Sequence, residues 1–299
     1  MKGSSARKAY VFAILAVLFW STSPTAFKLG LRHVDTWQLL TGATLSSTLV
    51  LGIMTLLRGN LSSLKAFTRK DLLFSALMGL LNPVAYYLIL FKAYTILPAQ
   101  VAQPLNMVWP IVLVLLSIPL LGQRIGWLSI GAMLLSFSGV VLVSLQGGTG
   151  AQNPQNRLGI ILALSSSVIW AFYFLFNTRD GRDPVARMFL NFAFASGYLL
   201  LGGILRGQAF PVSAEGWYAS LYVGVFEMGV TFVLWLMAVR LAPSSDRISN
   251  LVYVAPFLNL FLASRILDER IYMTTLFGII LLVSGILIQN TAGRYAKKT

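Results

Sequence analysis

Residues 93–125, AYTILPAQVAQPLNMVWPIVLVLLSIPLLGQRI, and residues 238–271, AVRLAPSSDRISNLVYVAPFLNLFLASRILDERI, are two versions of one pattern. With a one-residue insertion they pair Ala93 with Ala238, Pro98 with Pro243, Pro110 with Pro256, and Arg124-Ile125 with Arg270-Ile271. The match continues to Ser138-Gly139 against Ser284-Gly285 and runs back to Gly79 against Gly224. Trp20 and Trp170 occupy corresponding places at the start of the two halves. Apolar segments resemble one another by composition alone, but matched prolines and arginines do not follow from apolarity. The pattern reads as an internal duplication.

The nature of the duplicated unit is set by composition. The 299 residues are 57% hydrophobic and 11% charged, against about 25% charged in soluble domains. A water-facing surface cannot be built from this, and the lipid bilayer is the expected partner. Crossing ~30 Å of hydrocarbon at ~1.5 Å per residue takes about 20 apolar residues. Segments 9–31, 36–57, 72–93, 99–120, 125–145, 158–177, 185–205, 216–239, 247–267 and 272–290 qualify. The start, MKGSSARK before a long apolar run, exceeds the h-region of a signal peptide and reads as an uncleaved first span. The expected fold is all-α, a polytopic membrane protein with ten transmembrane helices. Its five-helix units cover 1–146 and 157–299, joined by a polar linker at 147–156. Five is odd, so the second unit enters from the opposite side, giving an inverted repeat. That architecture is characteristic of secondary transporters, with the binding site near the midplane between repeats.

The net charge of +14 would point to nucleic acid in a soluble protein. Here the basic residues sit at span ends, and no nucleic-acid partner is expected. Lys28, Arg32, Lys92, Arg157, Arg206, Arg265 and Arg270 fall on one face, and the other 16 of the 23 Lys and Arg fall on the face with both termini. That excess places both termini in the cytoplasm. Trp37, Trp127 and Trp217, each near a span end, suit the interfacial belt. Cysteine is absent and His33 is the single histidine, so thiolate and multi-histidine metal sites are excluded. Neither a metal nor a cofactor is expected.

Ten spans in two halves, a Trp in spans 1 and 6, a Pro-bearing span 4 and span 9, and the charged turns GQRI and DERI before spans 5 and 10 resemble the drug/metabolite transporter superfamily, EamA type. The aromatic-rich interior is similar to the YddG-type exporters of aromatic and other neutral amino acids. The resemblance covers essentially the whole chain. It implies a bacterial inner-membrane exporter working by alternating access, with a small-molecule cargo and a monomer as the expected unit.

Eight of the nine carboxylates lie at or near span ends, and Glu227 alone falls mid-span. An ionisable group there costs at least ~2.5 kcal/mol on insertion scales, so it should face a polar cavity. A substrate or proton role competes with a structural hydrogen bond between helices. Gly224, Glu227, Thr231 and Trp235 share a helical stripe. The repeat sets Asn82 opposite Glu227, on one face with Tyr86, and glue between helices competes there with ligand binding. Span 6 carries the stripe Trp170, Tyr173, Phe174 and Asn177. Trp20, Trp170 and Trp109, the last one turn from Asn106, sit deep in their spans, where indole donors want partners. Such a wall suits an amino-acid ammonium, which gains roughly 0.5–2 kcal/mol over a ring face. Pro24, Pro83, Pro104, Pro110 and Pro256 lie inside spans and should bend them. Pro110 and Pro256, equivalent by repeat, are candidate gating hinges, with static kinks as the alternative.

An intramembrane enzyme is the competitor from another class, but H-E-x-x-H and G-x-S-x-G are both missing from the sequence. A single mid-membrane carboxylate also falls short of an acid/base pair, and no enzymatic activity is expected. No Walker A sequence is present. A drug, nucleoside or nucleotide-sugar carrier of the same superfamily is the runner-up.

Overall fold

The computed structural model of the protein describes residues 2–58, 64, 66–121, 126–145, 153–208, 210–241 and 250–295. The GQRI turn, Pro243, the start of the ninth span at 247–249 and linker residues 147–152 lie outside the described residues. All regular structure among the described residues is helical. Eight helical segments are long and apolar enough to cross a membrane, and two shorter apolar ones, Leu251–Ile266 and Met273–Gln289, come after them.

The helices are α1 (Lys2–Gly30), α2 (Thr36–Leu57), α3 (Arg69–Gly79), α4 (Tyr86–Ile96), α5 (Ala99–Asn106), α6 (Trp109–Leu121), α7 (Trp127–Ser144), α8 (Pro154–Thr178), α9 (Pro184–Leu205), α10 (Ala214–Tyr222), α11 (Val230–Leu241), α12 (Ala255–Ile266) and α13 (Met273–Tyr295). Their starts obey ordinary capping chemistry. Asp35 and Thr68 head capping boxes closed by Gln38 and Asp71, and Asp183 and Asn153 accept backbone N–H groups ahead of a proline in the first turn. The cap at Asn153 starts α8 at Pro154, two residues before the expected end of the linker.

Three spans are interrupted rather than regular among the described residues. α3 and α4 are joined by a π-helical turn, Leu80–Ala85, in which Asn82 leaves helical geometry at φ −144°, ψ 119° ahead of Pro83. A second π-helical turn, Val223–Gly229, joins α10 to α11. The fourth span breaks at Met107-Val108 between α5 and α6, and a 3-10 turn, Asn250–Val254, precedes α12. Pro110 and Pro256 therefore stand in the first turns of α6 and α12, where a proline N–H would have had no helical partner. Pro110 begins a half-helix after a break and Pro256 begins a helix after the 3-10 turn, so among the described residues neither proline bends a continuous α-helix as the sequence suggested.

α1 packs on α11 and α12, and α8 packs on α4, α5 and α6. α2 packs on α9 and α10, while α9 also packs on α3, and α7 pairs with α13. Glycines set the closest approaches. A Cβ on Gly79 would strike the Asn191 carbonyl oxygen of α9, and one on Gly224 would strike the Ala43 carbonyl oxygen of α2. The outer surface is apolar, with Leu57, Leu73 and Leu205 at least 71% exposed, as a lipid-facing surface requires. Trp127 and Trp217 are exposed. Trp37 instead packs between helices and donates its indole N–H to the Leu199 carbonyl at 2.9 Å.

The connection between α8 and α9 is clasped to α3. Arg182 pairs with Asp180 at 2.6 Å, donates to the Asp71 carbonyl and Ser75 Oγ, each at 2.9 Å, and lies over the Phe67 and Phe74 rings. Arg187 donates to the Asp180 carbonyl at 2.6 Å. Partial burial pushes the Asp180 carboxyl up, but hydrogen bonds from Arg182 outweigh it and hold the group below the usual carboxylate range. A depressed carboxylate stabilises above its unfolded value of about 3.9 and loses that contribution as pH falls through the lower folded value. The melting temperature of Asp180→Asn should therefore lie below that of the wild type at neutral pH. The gap should close below about pH 4; a gap that persists there would remove the clasp as its cause.

Candidate functional site

A cavity of about 110 Å³ lies between helices of both halves of the chain. α1 contributes Trp20, Ser23, Pro24 and Phe27, one helical face at spacings of three and four. α4 contributes Tyr86, Tyr87, Leu90 and Tyr94, again on one face. Gln103 and Asn106 come from α5, Met107 from the break after it, Trp109 from the start of α6, Trp170 from α8, Glu227 from the second π turn, Phe232 from α11 and Val252 from the 3-10 turn. Interrupted helices thus supply much of the polar wall. A π turn is a frequent mark of a functional site, because its extra residue re-aims the side chains around it.

The rings form a continuous lining. Tyr86 stands 5.0 Å from Trp170 between ring centres, Trp170 5.7 Å from Phe232, and Phe232 5.7 Å from Trp20. Phe27 meets Tyr94 edge-on at 5.3 Å. Two hydrogen-bond chains run through this wall. Tyr86 donates to Asn106 Oδ1 at 3.0 Å, and Asn106 Nδ2 donates to Ser166 Oγ at 2.8 Å. Tyr87 donates its hydroxyl to Glu227 Oε1 at 3.0 Å. Glu227 Oε2 is buried with no hydrogen-bond partner. Ser23 faces the same carboxylate, but its single O–H is directed at the Phe19 carbonyl at 2.9 Å. Glu227 is the one charged side chain among the described residues of the lining.

Six residues singled out from sequence line the cavity together: Trp20, Tyr86, Asn106, Trp109, Trp170 and Glu227. Tyr173 is buried behind them, with its ring 5.6 Å from Trp170. Asn82 is buried in the first π turn, its Oδ1 unpartnered. Trp235 packs behind Trp20, with the tilted ring centres 5.3 Å apart. Phe174 is 39% exposed and packs on Trp109 from outside the wall. Thr231 donates its hydroxyl to the Phe226 carbonyl and so repairs the backbone of the π turn. Pro110 and Pro256 lie off the lining.

Sequence reasoning missed Tyr87, Tyr94, Phe27 and Gln103. It also missed a clasp beside the cavity's Tyr94. Lys28 Nζ donates to the Tyr94 and Leu97 carbonyls, both at 3.0 Å, at the end of α4 where cations are favoured. Glu269 accepts from the Ala99 and Gln100 N–H groups at 2.7 and 3.1 Å, capping α5, and Gln100 Nε2 donates to the Arg270 carbonyl at 2.8 Å. The only hint in the sequence is the charged DERI turn.

A carboxylate with a free oxygen inside a ring of aromatic faces can hold a small cation or exchange a proton. Similarity to known proteins bears on the use of such a cavity. The chain is 27% identical over 180 residues to the aromatic amino acid exporter YddG of Ancylobacter novellus, covering 59% of this chain and 62% of that one. It is 24% identical to a probable terminal-alkyne amino-acid exporter of Streptantibioticus cattleyicolor, over 96% and 95% of the two chains. A solved protein structure superposes with a TM-score of 0.68 at 23% identity, over 96% of this chain and 98% of that one, which shows a shared fold. The model of the EamA-like transporter family matches twice, at residues 7–145 and 157–291. Those stretches take in most of the chain, and the family consists of membrane transporters rather than enzymes: this chain belongs to the EamA-like transporter family of the drug/metabolite transporter superfamily.

Proposed function

We propose that this transporter exports small neutral metabolites, foremost aromatic and other neutral amino acids, by alternating access through the aromatic-lined cavity. The observation that carries this reading is the buried, half-unpartnered Glu227 carboxylate among ring faces, which matches an ammonium carried on an apolar body. The likeness to two proteins named as amino-acid exporters supports it. The cavity's volume supports a small cargo, being about a third of the lower bound for ligand pockets of ~300 Å³. A drug or nucleotide sugar would need a far larger opening. Even an aromatic amino acid requires the rings to part, as alternation of access demands.

The packing also supports a duplication of the chain, which an odd number of spans per unit makes an inverted one. Exchanging the halves turns the α1 contacts with spans 8 and 9 into the α8 contacts with spans 3 and 4. It likewise turns the contacts of span 2 with spans 7 and 8 into those of span 7 with spans 2 and 3. Both π turns, and the helices begun by Pro110 and Pro256, obey the same exchange. In this reading the half-helices pivot at their breaks, the termini face the cytoplasm of a bacterial inner membrane, and the Lys28 and Glu269 clasp closes the outer end.

A zwitterion carries no net charge, so a potential worth ~2.3 kcal/mol per charge per 100 mV does not drive it. Export then proceeds down the amino-acid gradient or is coupled to proton entry through Glu227. The test is flux of labelled amino acids, nucleosides and drugs into vesicles containing the purified protein, with and without a pH gradient. The expected result is flux of neutral amino acids above protein-free vesicles. Flux of nucleosides or drugs in their place would overturn the cargo, and equal flux with and without the gradient would exclude obligatory proton coupling.

A further inference from the structure

The cavity's free and spent hydrogen-bonding atoms are not evenly matched. The hydroxyls of Tyr86 and Tyr87 and the amide N–H of Asn106 are committed to partners within the protein. The buried lining atoms left without a partner are both acceptors: Glu227 Oε2 and Gln103 Oε1. Gln103 is 5% exposed and sits in the short half-helix α5, one turn before Asn106. Buried acceptors without donors cost free energy until something supplies N–H or O–H groups. A primary ammonium supplies three donors and no acceptor, and its positive charge meets the one charged group of the wall. A cargo carboxylate finds no cation there among the described residues; the indole N–H groups of the wall are neutral.

We infer that the cavity reads its cargo through a primary ammonium bound by Glu227 Oε2 and Gln103 Oε1, and that the cargo's own carboxylate is dispensable. This rests on the amino-acid reading above and narrows it: simple amines, and amino acids with blocked carboxylates, are ligands of the same site. Solutes whose nitrogen carries no N–H are not. Gln103 is a specificity-determining residue, because its amide oxygen adds a second acceptor that a quaternary nitrogen cannot use.

The experiment compares four ligands built on one phenylethyl skeleton, on the purified full-length protein in detergent. They are phenylalanine, 2-phenylethylamine, its N,N,N-trimethyl derivative and 3-phenylpropionate. Binding raises the melting temperature by mass action whether or not transport occurs. Phenylalanine and phenylethylamine should both raise it, with half-saturating concentrations within about tenfold of each other, and the other two should not. Gln103→Leu should weaken the phenylethylamine response at least about fivefold while leaving the protein's unliganded melting temperature within a few degrees. Stabilisation by phenylpropionate or the trimethyl compound equal to that by the amine overturns the inference, as does a phenylalanine response without an amine response, or no response to either. Amine binding without amino-acid flux in vesicles would instead leave the ammonium site standing and remove the transport reading.

Discussion

Glutamine in place of Glu227 should give a folded, membrane-inserted protein whose amino-acid flux falls about 10- to 150-fold. Glutamine keeps the volume and keeps a carbonyl oxygen to accept the Tyr87 hydroxyl, now at 3.0 Å from Glu227 Oε1. The charge is removed, and the free acceptor at the Oε2 position becomes an NH2 donor. A hydrogen bond to a charged group contributes about 1.5–3 kcal/mol, which at ~1.4 kcal/mol per decade gives the stated range. No other described side chain of the wall carries a charge, and Gln103 leaves only a neutral acceptor for the ammonium. The measurement is exchange of labelled phenylalanine in vesicles, normalised to incorporated protein, with the melting temperature as the control for folding. A variant that melts like the wild type and exchanges at the same rate would reduce Glu227 to a tie between α4 and the second π turn.

That Glu227 could be singled out from sequence is a consequence of solvation. An ionisable side chain in the middle of an apolar span needs a compensating environment, and only a cavity or a partner provides one. The deep tryptophans were legible for a related reason, since a buried indole needs a hydrogen-bond partner or a wet edge. The stripes fared differently at the π turns. Each π turn inserts a residue and rotates the helix beyond it by roughly 100°. Counting by 3.6 from Glu227 therefore led to Thr231 and Trp235, while the structure presents Phe232. The same shift after Leu80–Ala85 brings Tyr87 in beside Tyr86. No local sequence signal announces a π turn, so this register lay beyond a periodicity argument. Phe174 failed for another reason: on α8 the face begun by Trp170 is wide enough to run from the cavity to the outer surface. Gln103 was hidden in a short, mixed half-helix whose break depends on tertiary packing. The eight helices long and apolar enough to cross a membrane depend on length and apolarity alone and could be read to within a few residues.

Leucine at Gly79 and leucine at Gly224 should be comparably destructive, each lowering stability by about 1–3 kcal/mol or more and cutting the yield of monodisperse protein. The neighbour in each case is backbone, which cannot swing aside. At Gly79 it is the carbonyl of Asn191 in α9, with the Ala195 nitrogen 3.3 Å from the same Cβ position. At Gly224 it is the carbonyl of Ala43 in α2, with the Ser46 Cβ at 2.7 Å. Relief would require separating α3 from α9, or the start of the second π turn from α2, and each pair braces a turn that carries Asn82 or Glu227. Gly131 and Gly197 serve as controls, because nothing lies within 4 Å of a Cβ added there. Leucine at those sites should be neutral or slightly stabilising, by up to ~1 kcal/mol from helix propensity. The comparison also probes the duplication. If Gly79 and Gly224 descend from one position, their substitutions should fail together, and leucine tolerated at one but not the other would show that the two halves use these positions differently.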